Sequence, residues 1–359
     1  MFRTLMRMGQ APIGGSHRSG SPIARKESTL AMTSIWTPGA VVHTTFAGPA
    51  VAAFAAATFA IDGPITARLV SRGFNDVYEI AGARRFFLRI GQHGRRSLRD
   101  AESEGQALAE VKVAGASVVV AIRGRNGSFA QPVAAPEGRR AALLFEPARG
   151  IEGQTGQAAA QGGALAQIHA VRLSDPTAAM LRRLDLDSLV LRPAGWAGEV
   201  LGDRPDLACR LLDVATAFVD RFAPLTASLG VGFCHGDFHG GNALVEDGVA
   251  TLLDFDDCGM GWFAYDLASF LWTCQGFEQE HREAIWADFL LGYESVRPLA
   301  EADRKAVEPL ILVREIWALG AWATGAPHWG DSWFRTEDFA LRIPAVEERL
   351  RRLVQARLI

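Results

Sequence analysis

Between Ile65 and Gly82 the run ITARLVSRGFNDVYEIAG alternates apolar and polar positions, breaks at Arg72-Gly73 and Asn75-Asp76, and resumes. That pattern predicts two strands joined by a tight polar loop. ARRFFLRIGQHG supplies another short strand, Phe86 to Ile90, closed by glycines. In SLRDAESEGQALAEVKVAG the period lengthens, with Leu98, Ala101, Glu104, Leu108 and Val111 at helical spacing. SVVVAI (Ser117 to Ile122) and the stretch from Gly127 to Pro147 predict further strands. The first half is therefore strand-rich, with one helix after its third strand.

From Gly150 the period is helical. TGQAAAQGGALAQIHAV, DLACRLLDVATAFVDRF, EQEHREAIWADFLLGYESV and RKAVEPLILVREIWALGAWA all predict helices. Two short runs, around Val231–Cys234 and Val249–Leu253, interrupt them. There is no internal repeat. The expectation is an α+β protein with a small β-rich lobe over residues 32–147 and a larger α-rich lobe over 148–359, joined near Phe145–Gly150.

Residues 1–31 stand apart. Met1 to about Leu30 carries Arg3, Arg7, Arg18, Arg25 and Lys26 among Gly, Ser and Pro, with Glu27 as its one acid. A targeting leader shares this composition. We read it as a disordered tail combined with an over-extended start, the working initiator being Met32. Ser28 to Ile61 contains no Asp, Glu, Lys or Arg, but Pro38, Gly39, Gly48 and Pro49 interrupt it. Alanine contributes little to membrane insertion, so Ala50 to Ala60 predicts a short packed helix rather than a membrane span.

Composition narrows the function classes. The chain has 359 residues and a net charge of −3, and its arginines are interleaved with acids. No basic field exists to attract nucleic acid or an anionic membrane. Cys209, Cys234, Cys258 and Cys274 have neither CxxC nor metal-ligand spacing, so they are expected to be buried free thiols in a reducing, cytoplasmic compartment. The sequence leaves the oligomeric state open.

Two acidic stretches then carry the chemistry. HGDFHGGN (His235 to Asn242) and LLDFDD (Leu252 to Asp257) each follow an apolar run, VGF and TLL. One Asp in a loop is ordinarily a turn or a helix cap. Here Asp237 precedes Asn242 by five residues, and Asp254 comes twelve later. In protein kinases an Asp five residues before an Asn faces the attacking hydroxyl, while the Asn and a second Asp on the next hairpin hold magnesium. A zinc site built on His235, Asp237 and His239 lacks a completing set of Cys or His.

HGDFHGGN followed by LLDFDDCGMGWFAYDLASF resembles the aminoglycoside phosphotransferase and choline kinase group, over residues from about 50 to 350. The resemblance implies the bilobal protein-kinase-like fold, ATP and Mg2+ as cofactors, and a small-molecule hydroxyl as acceptor. Carried onto this sequence, Asp237 matches the catalytic Asp, and His235 matches the residue that opens and orients the catalytic loop. Asn242 and Asp254 match the magnesium ligands, with Asp256 or Asp257 assisting at metal or substrate. Asp266 matches the Asp of the family's DLA segment, bracing the loop. Upstream, Ser71 and Gly73 belong to a loop over the phosphates that lacks GxGxxG. Arg89 stands where the phosphate-pairing lysine is expected, with Glu104 as its partner and Glu102 as the alternative. Backbone groups around Phe145, Glu146 and Pro147 are expected to read the adenine edge.

The acceptor is not named by these residues. Eight of nine tryptophans follow Gly195 and read mainly as core. Trp329 and Trp333, in a loop with Asp331, Glu337 and Asp338, would suit a cationic amine or amino alcohol. An aminoglycoside and a sugar-like compound are the other expected acceptors. GYESVRPL and the REIWALG stretch are similar to segments of homoserine-kinase-like and stress-response-kinase-like branches. A Ser/Thr protein kinase, a homoserine-kinase-like enzyme and a nucleotide-binding pseudokinase are the competing readings. Arg89 and the missing GxGxxG favour the last of these, and the intact Asp237, Asn242 and Asp254 oppose it.

Overall fold

The computed structural model describes residues 41–330 and 335–359. The expectations for residues 1–31, Asp331 and Trp333 fall outside that range. The first lobe opens with α1 (Gly48–Thr58), which carries Pro49 in its first turn and lies against the sheet. The sheet comprises β1 (Thr66–Arg72), β2 (Asn75–Ala81), β3 (Arg85–Gly91), β4 (Ala121–Ile122), β5 (Gln131–Ala135) and β6 (Gly138–Phe145). Its order is β1-β2-β3-β6-β4 with β5 also on β6, and every pair is antiparallel. Between β3 and β4 lies α2 (Leu98–Val113). Alternation along β2 and β3 puts Tyr78, Ile80, Phe86, Leu88 and Ile90 in a core with Val51, Ala55 and Phe59 of α1. The opposite face packs Leu143 with Ala101 and Phe129.

The run Ser117 to Ile122 pairs as a β6 partner only over Ala121–Ile122. Val119 instead donates its N–H to Leu252 O at 2.9 Å, and Leu252 returns a bond to Ser117 O. The segment thus divides its hydrogen bonds between the two lobes.

The second lobe begins with β7 (Ile151–Glu152), α3 (Ala158–Ala170), α4 (Asp175–Met180) and β8 (Arg183–Leu184). There follow α5 (Arg192–Val200), α6 (Pro205–Phe222), β9 (Val231–Cys234), β10 (Ala243–Glu246), β11 (Val249–Leu252) and β12 (Gly259–Trp262). It closes with α7 (Phe263–Thr273), α8 (Gln279–Glu294), α9 (Glu301–Trp329) and α10 (Thr336–Gln355). The strands form two small sheets, β11-β10-β7 and β8-β12-β9. The β10–β11 hairpin turns on Asp247 and Gly248, at φ 51° and 78°, the left-handed pair that a tight two-residue hairpin requires. Beneath it the core stacks Phe238, Phe270 and Phe289, with Phe270 and Phe289 4.0 Å apart.

Three cysteines are buried and free, whereas Cys209 is free and exposed on α6. Burial pushes the Cys234 thiol up and the Cys258 thiol to about 12, so neither is nucleophilic at neutral pH. No described helix is long and apolar enough to cross a membrane.

Candidate active site

Apolar β9 carries the chain into the core and delivers His235 to Asn242 as a loop. Gly236 sits at φ 83°, and a Cβ there would lie 1.9 Å from the carbonyl oxygen of Asp257, so no larger residue fits. The loop is held from behind by Asp266 in the first turn of α7. Its carboxylate accepts the N–H of His235 at 2.6 Å and of Gly236 at 2.8 Å, and it meets His169 Nε2 at 3.0 Å. The His235 ring turns inward to the carbonyl of Leu253 at 3.0 Å, tying the loop to the second acidic stretch. His235 and Asp266 are therefore fully buried organisers.

Held this way, Asp237 lines a cleft of about 530 Å³ together with Asn242, Asp254, Asp256, Ser71 and Gly73. Asn242 donates Nδ2 to the carbonyl of Asp237 at 2.9 Å, which leaves Oδ1 as its oxygen donor. Asp254 has φ 63°, an uncommon conformation for a non-glycine residue and of the kind found at functional sites. Crowding by protein and the neighbouring Asp256 push its carboxyl up to about 7, against the opposing charge of Arg89. Its side chain remains 43% exposed, so water in the cleft softens that shift. Carboxylates that resist one another's charge, beside an amide oxygen, form an all-oxygen donor set fitting a hard divalent cation such as Mg2+.

Arg89 reaches the same place from β3. It donates to Glu104 at 2.5 Å and to Asp254 at 3.1 Å. Burial by itself would disfavour its charge, but Glu104, Asp256 and Asp254 outweigh that and raise its pKa. Glu104, and not Glu102, is the partner: Glu102 instead accepts the backbone N–H of Ala130. Arg96 also bonds Glu104 at 2.5 Å, a second arginine that sequence spacing did not single out. Asn75, the first residue of β2, donates to Asp256 at 2.8 Å, joining the two lobes across the cleft.

Phe145 and Glu146 are not among the cleft-lining residues. Phe145 lies under the Arg89 guanidinium at 5.0 Å, and the Glu146 N–H goes to Val120 O at 3.3 Å. The Glu146 carboxylate turns outward to Arg84. Trp329 closes α9 instead of occupying a loop and meets Phe74 at 4.6 Å. Glu337 and Asp338 lie in the first turn of α10, where Asp338 accepts the Arg335 N–H at 2.8 Å. They stand at a helix N-terminus, where carboxylates are favoured.

Arg314 and His169 also carried no signal in the sequence. Arg314, 1% exposed in α9, bonds the Asp237 carboxylate and sits 4.3 Å over Trp317. Tyr265 lies close enough to interact electrostatically with Arg314, yet the two form no hydrogen bond of good geometry. His169 stands 97 residues before Asp266 and uses its other ring nitrogen on Tyr293. Only the folded chain brings either pair together. His239, a weak candidate by sequence, accepts the Gly241 N–H at 3.0 Å and shapes the turn before Asn242.

Residues 66–299 match the model of the "Phosphotransferase enzyme family". A protein of Deinococcus radiodurans is 33% identical over 296 residues, covering 80% of this chain and 86% of its own. Among solved structures, a microcompartment-associated aminopropanol kinase superposes with a TM-score of 0.68 at 20% identity, over 86% of this chain and 98% of its own. The amicoumacin kinase hAmiN, solved with AMP-PNP, Ca2+ and Ami, gives 0.64 at 17%, over 84% and 92%. The fold is thus the bilobal protein-kinase-like fold, with a β-rich lobe and a helical lobe.

Proposed function

Because the chain belongs to the phosphotransferase enzyme family, we propose that it moves the γ-phosphoryl group of ATP to the hydroxyl of a small molecule, with Mg2+, in the cytoplasm. The observation that carries this reading is the convergence of Asp237, Asn242 and Asp254 on one cleft, with Arg89 of the other lobe bonded to Asp254.

In this reading Asp237 orients the acceptor hydroxyl and takes its proton as the oxygen attacks the γ-phosphorus. The bond to the bridging oxygen breaks and ADP departs. Asn242 and Asp254 would hold magnesium, with Asp256 beside them, and the ion would neutralise phosphate charge. Arg89, kept in place by Glu104, exchanges its contact with Asp254 for phosphate oxygens and binds them as a planar fork. Ser71 and Gly73 cover the phosphates from above. His235 and Asp266 hold the loop so that these groups need little reorganisation, and positioning is most of what phosphoryl transfer asks. A cytoplasmic site is supported by four thiols that form no disulfide.

The test is Mg2+-ATP turnover against a panel of hydroxyl compounds and a generic protein. Asp237→Ala should lower kcat by about 10²–10⁴-fold, the usual worth of a positioned proton acceptor, while nucleotide affinity stays within about twofold. Full activity in that variant would remove Asp237 from the reaction. Transfer to the generic protein, with no small acceptor used, would replace this reading with a protein kinase.

A further inference from the structure

A second cavity, of about 670 Å³, opens beside the catalytic cleft, and Asp257, Trp317 and Ala321 line both. Its inner end is built from arginines: Arg95 follows β3 and Arg182 precedes β8, so the two lobes each contribute one. Both bond a single carboxylate, Asp257, Arg95 at 2.9 Å and Arg182 at 2.6 Å. One negative charge therefore faces two positive ones. Arg183 and Arg192 line the outer part, where each has its own acid, Asp185 at 3.5 Å and Asp187 at 2.6 Å.

The inner guanidiniums are fixed yet incompletely used. Arg95 bonds only through Nη2 and lies 3.8 Å over the Phe74 ring, leaving Nε and Nη1 without a hydrogen bond among the described residues. Arg182 is anchored through Nε to Cys258 O and through Nη2 to Asp256 O, leaving Nη1. Surplus positive charge and preset forked donors are what recognition of a planar or tetrahedral anion requires.

We propose that the acceptor is an anionic alcohol, whose carboxylate or phosphate docks on the Arg95 and Arg182 donors that Asp257 leaves unused, while its hydroxyl points past Trp317 toward Asp237. This rests on the phosphotransfer reading for the direction of the hydroxyl. It reverses the sign of the cationic acceptor expected from Trp329, Glu337 and Asp338. Asp257 then sets selectivity from within the pair: it holds both guanidiniums in register and repels an acceptor whose anion approaches from the wrong side.

The experiment uses the full chain saturated with AMP-PNP and Mg2+, and four three-carbon probes that differ at one carbon. These are glycerol 3-phosphate, glycerate, glycerol and 3-amino-1,2-propanediol, with binding followed by calorimetry. One of the two anions should bind at least about tenfold more tightly than glycerol, the worth of one charge-assisted pair. The stronger of them tells phosphate from carboxylate. Arg182→Gln should remove about tenfold of that affinity with AMP-PNP binding unchanged. Arg182→Lys, which keeps the charge and the fold but loses the fork, should fall between. If glycerol or the amine binds as tightly as both anions, or Arg182→Lys and Arg182→Gln both leave anion affinity intact, the proposal is overturned. Binding is read without turnover, so the two readings separate. Loss of catalysis with anion binding intact counts against the phosphotransfer reading alone. Turnover of neutral or cationic alcohols only counts against the anionic acceptor alone.

Discussion

Asp237 owes its position to a residue 77 places further along the chain. Arg314 is buried against Trp272 and Trp317, at 5.2 and 4.3 Å from the ring centres, so its guanidinium cannot wander, and it holds the Asp237 carboxylate in one orientation. A misplacement of about 1 Å costs about 10²-fold in a reaction that depends on alignment. Arg314→Gln should therefore lower kcat by roughly that factor, with KM for ATP nearly unchanged, and Arg314→Lys should restore part of it. Equal losses in kcat and nucleotide affinity would mean that Arg314 serves the fold and not the alignment. None of this was legible locally. REIWALG has no feature that separates Arg314 from a surface arginine, whereas HGDFHGGN and LLDFDD stand out as candidates by composition and spacing.

At the scale of elements, α2 connects a cap to the site. Ser97 accepts the Asp100 N–H at 3.1 Å, Asp100 returns a bond to the Ser97 N–H at 2.8 Å, and the first turn is thereby fixed. Two turns on, the same helix presents Glu104 to Arg89. Ser97→Ala should cost about 1 kcal/mol in urea unfolding while lowering kcat by less than about threefold, because packing and the paired arginines keep Glu104 in place. A loss of activity much larger than the loss of stability would show that the cap sets the Glu104 geometry directly. The hairpins and long helices of this scale were readable from period and turn residues. The strand expected over Ser117 to Ile122 was largely not a strand, because backbone pairing with Leu252 competes with the sheet. The β12 strand and the helix α10 were missed. GMGW is too short and glycine-rich to show alternation, and α10 follows a tryptophan- and acid-rich run that resembled a loop.

For the whole molecule, three side-chain bonds between the lobes fall on one short strip of chain: Asp254 to Arg89, Asp256 to Asn75 and Asp257 to Arg95. Histidines buried near this strip and its brace give the protein a pH dependence. Burial holds His239 down to about 4, and it lowers His169 too, against the favourable charge of Asp266. An unfolded histidine titrates near 6.5, so between roughly 6.5 and 4 the unfolded chain takes up protons that the folded one refuses. Stability then falls as pH drops through that window, by up to about 3 kcal/mol for His239 at its acid end. The urea midpoint should be lower at pH 5 than at pH 7, and His239→Gln should flatten the slope. A midpoint unchanged between those two values would show that the buried imidazoles accept protons without cost.

The brace on the catalytic loop also has a bearing on how the chain acquires its shape during synthesis. Asp266 alone satisfies the amides of both His235 and Gly236, and it lies beyond every residue of the two acidic stretches. A ribosome that has released the polypeptide as far as Asp257 has delivered the whole reactive set, but not the anchor that gives it form. Competence thus arrives late and all together. A chain interrupted before α7 would carry the full motif and still present no usable centre.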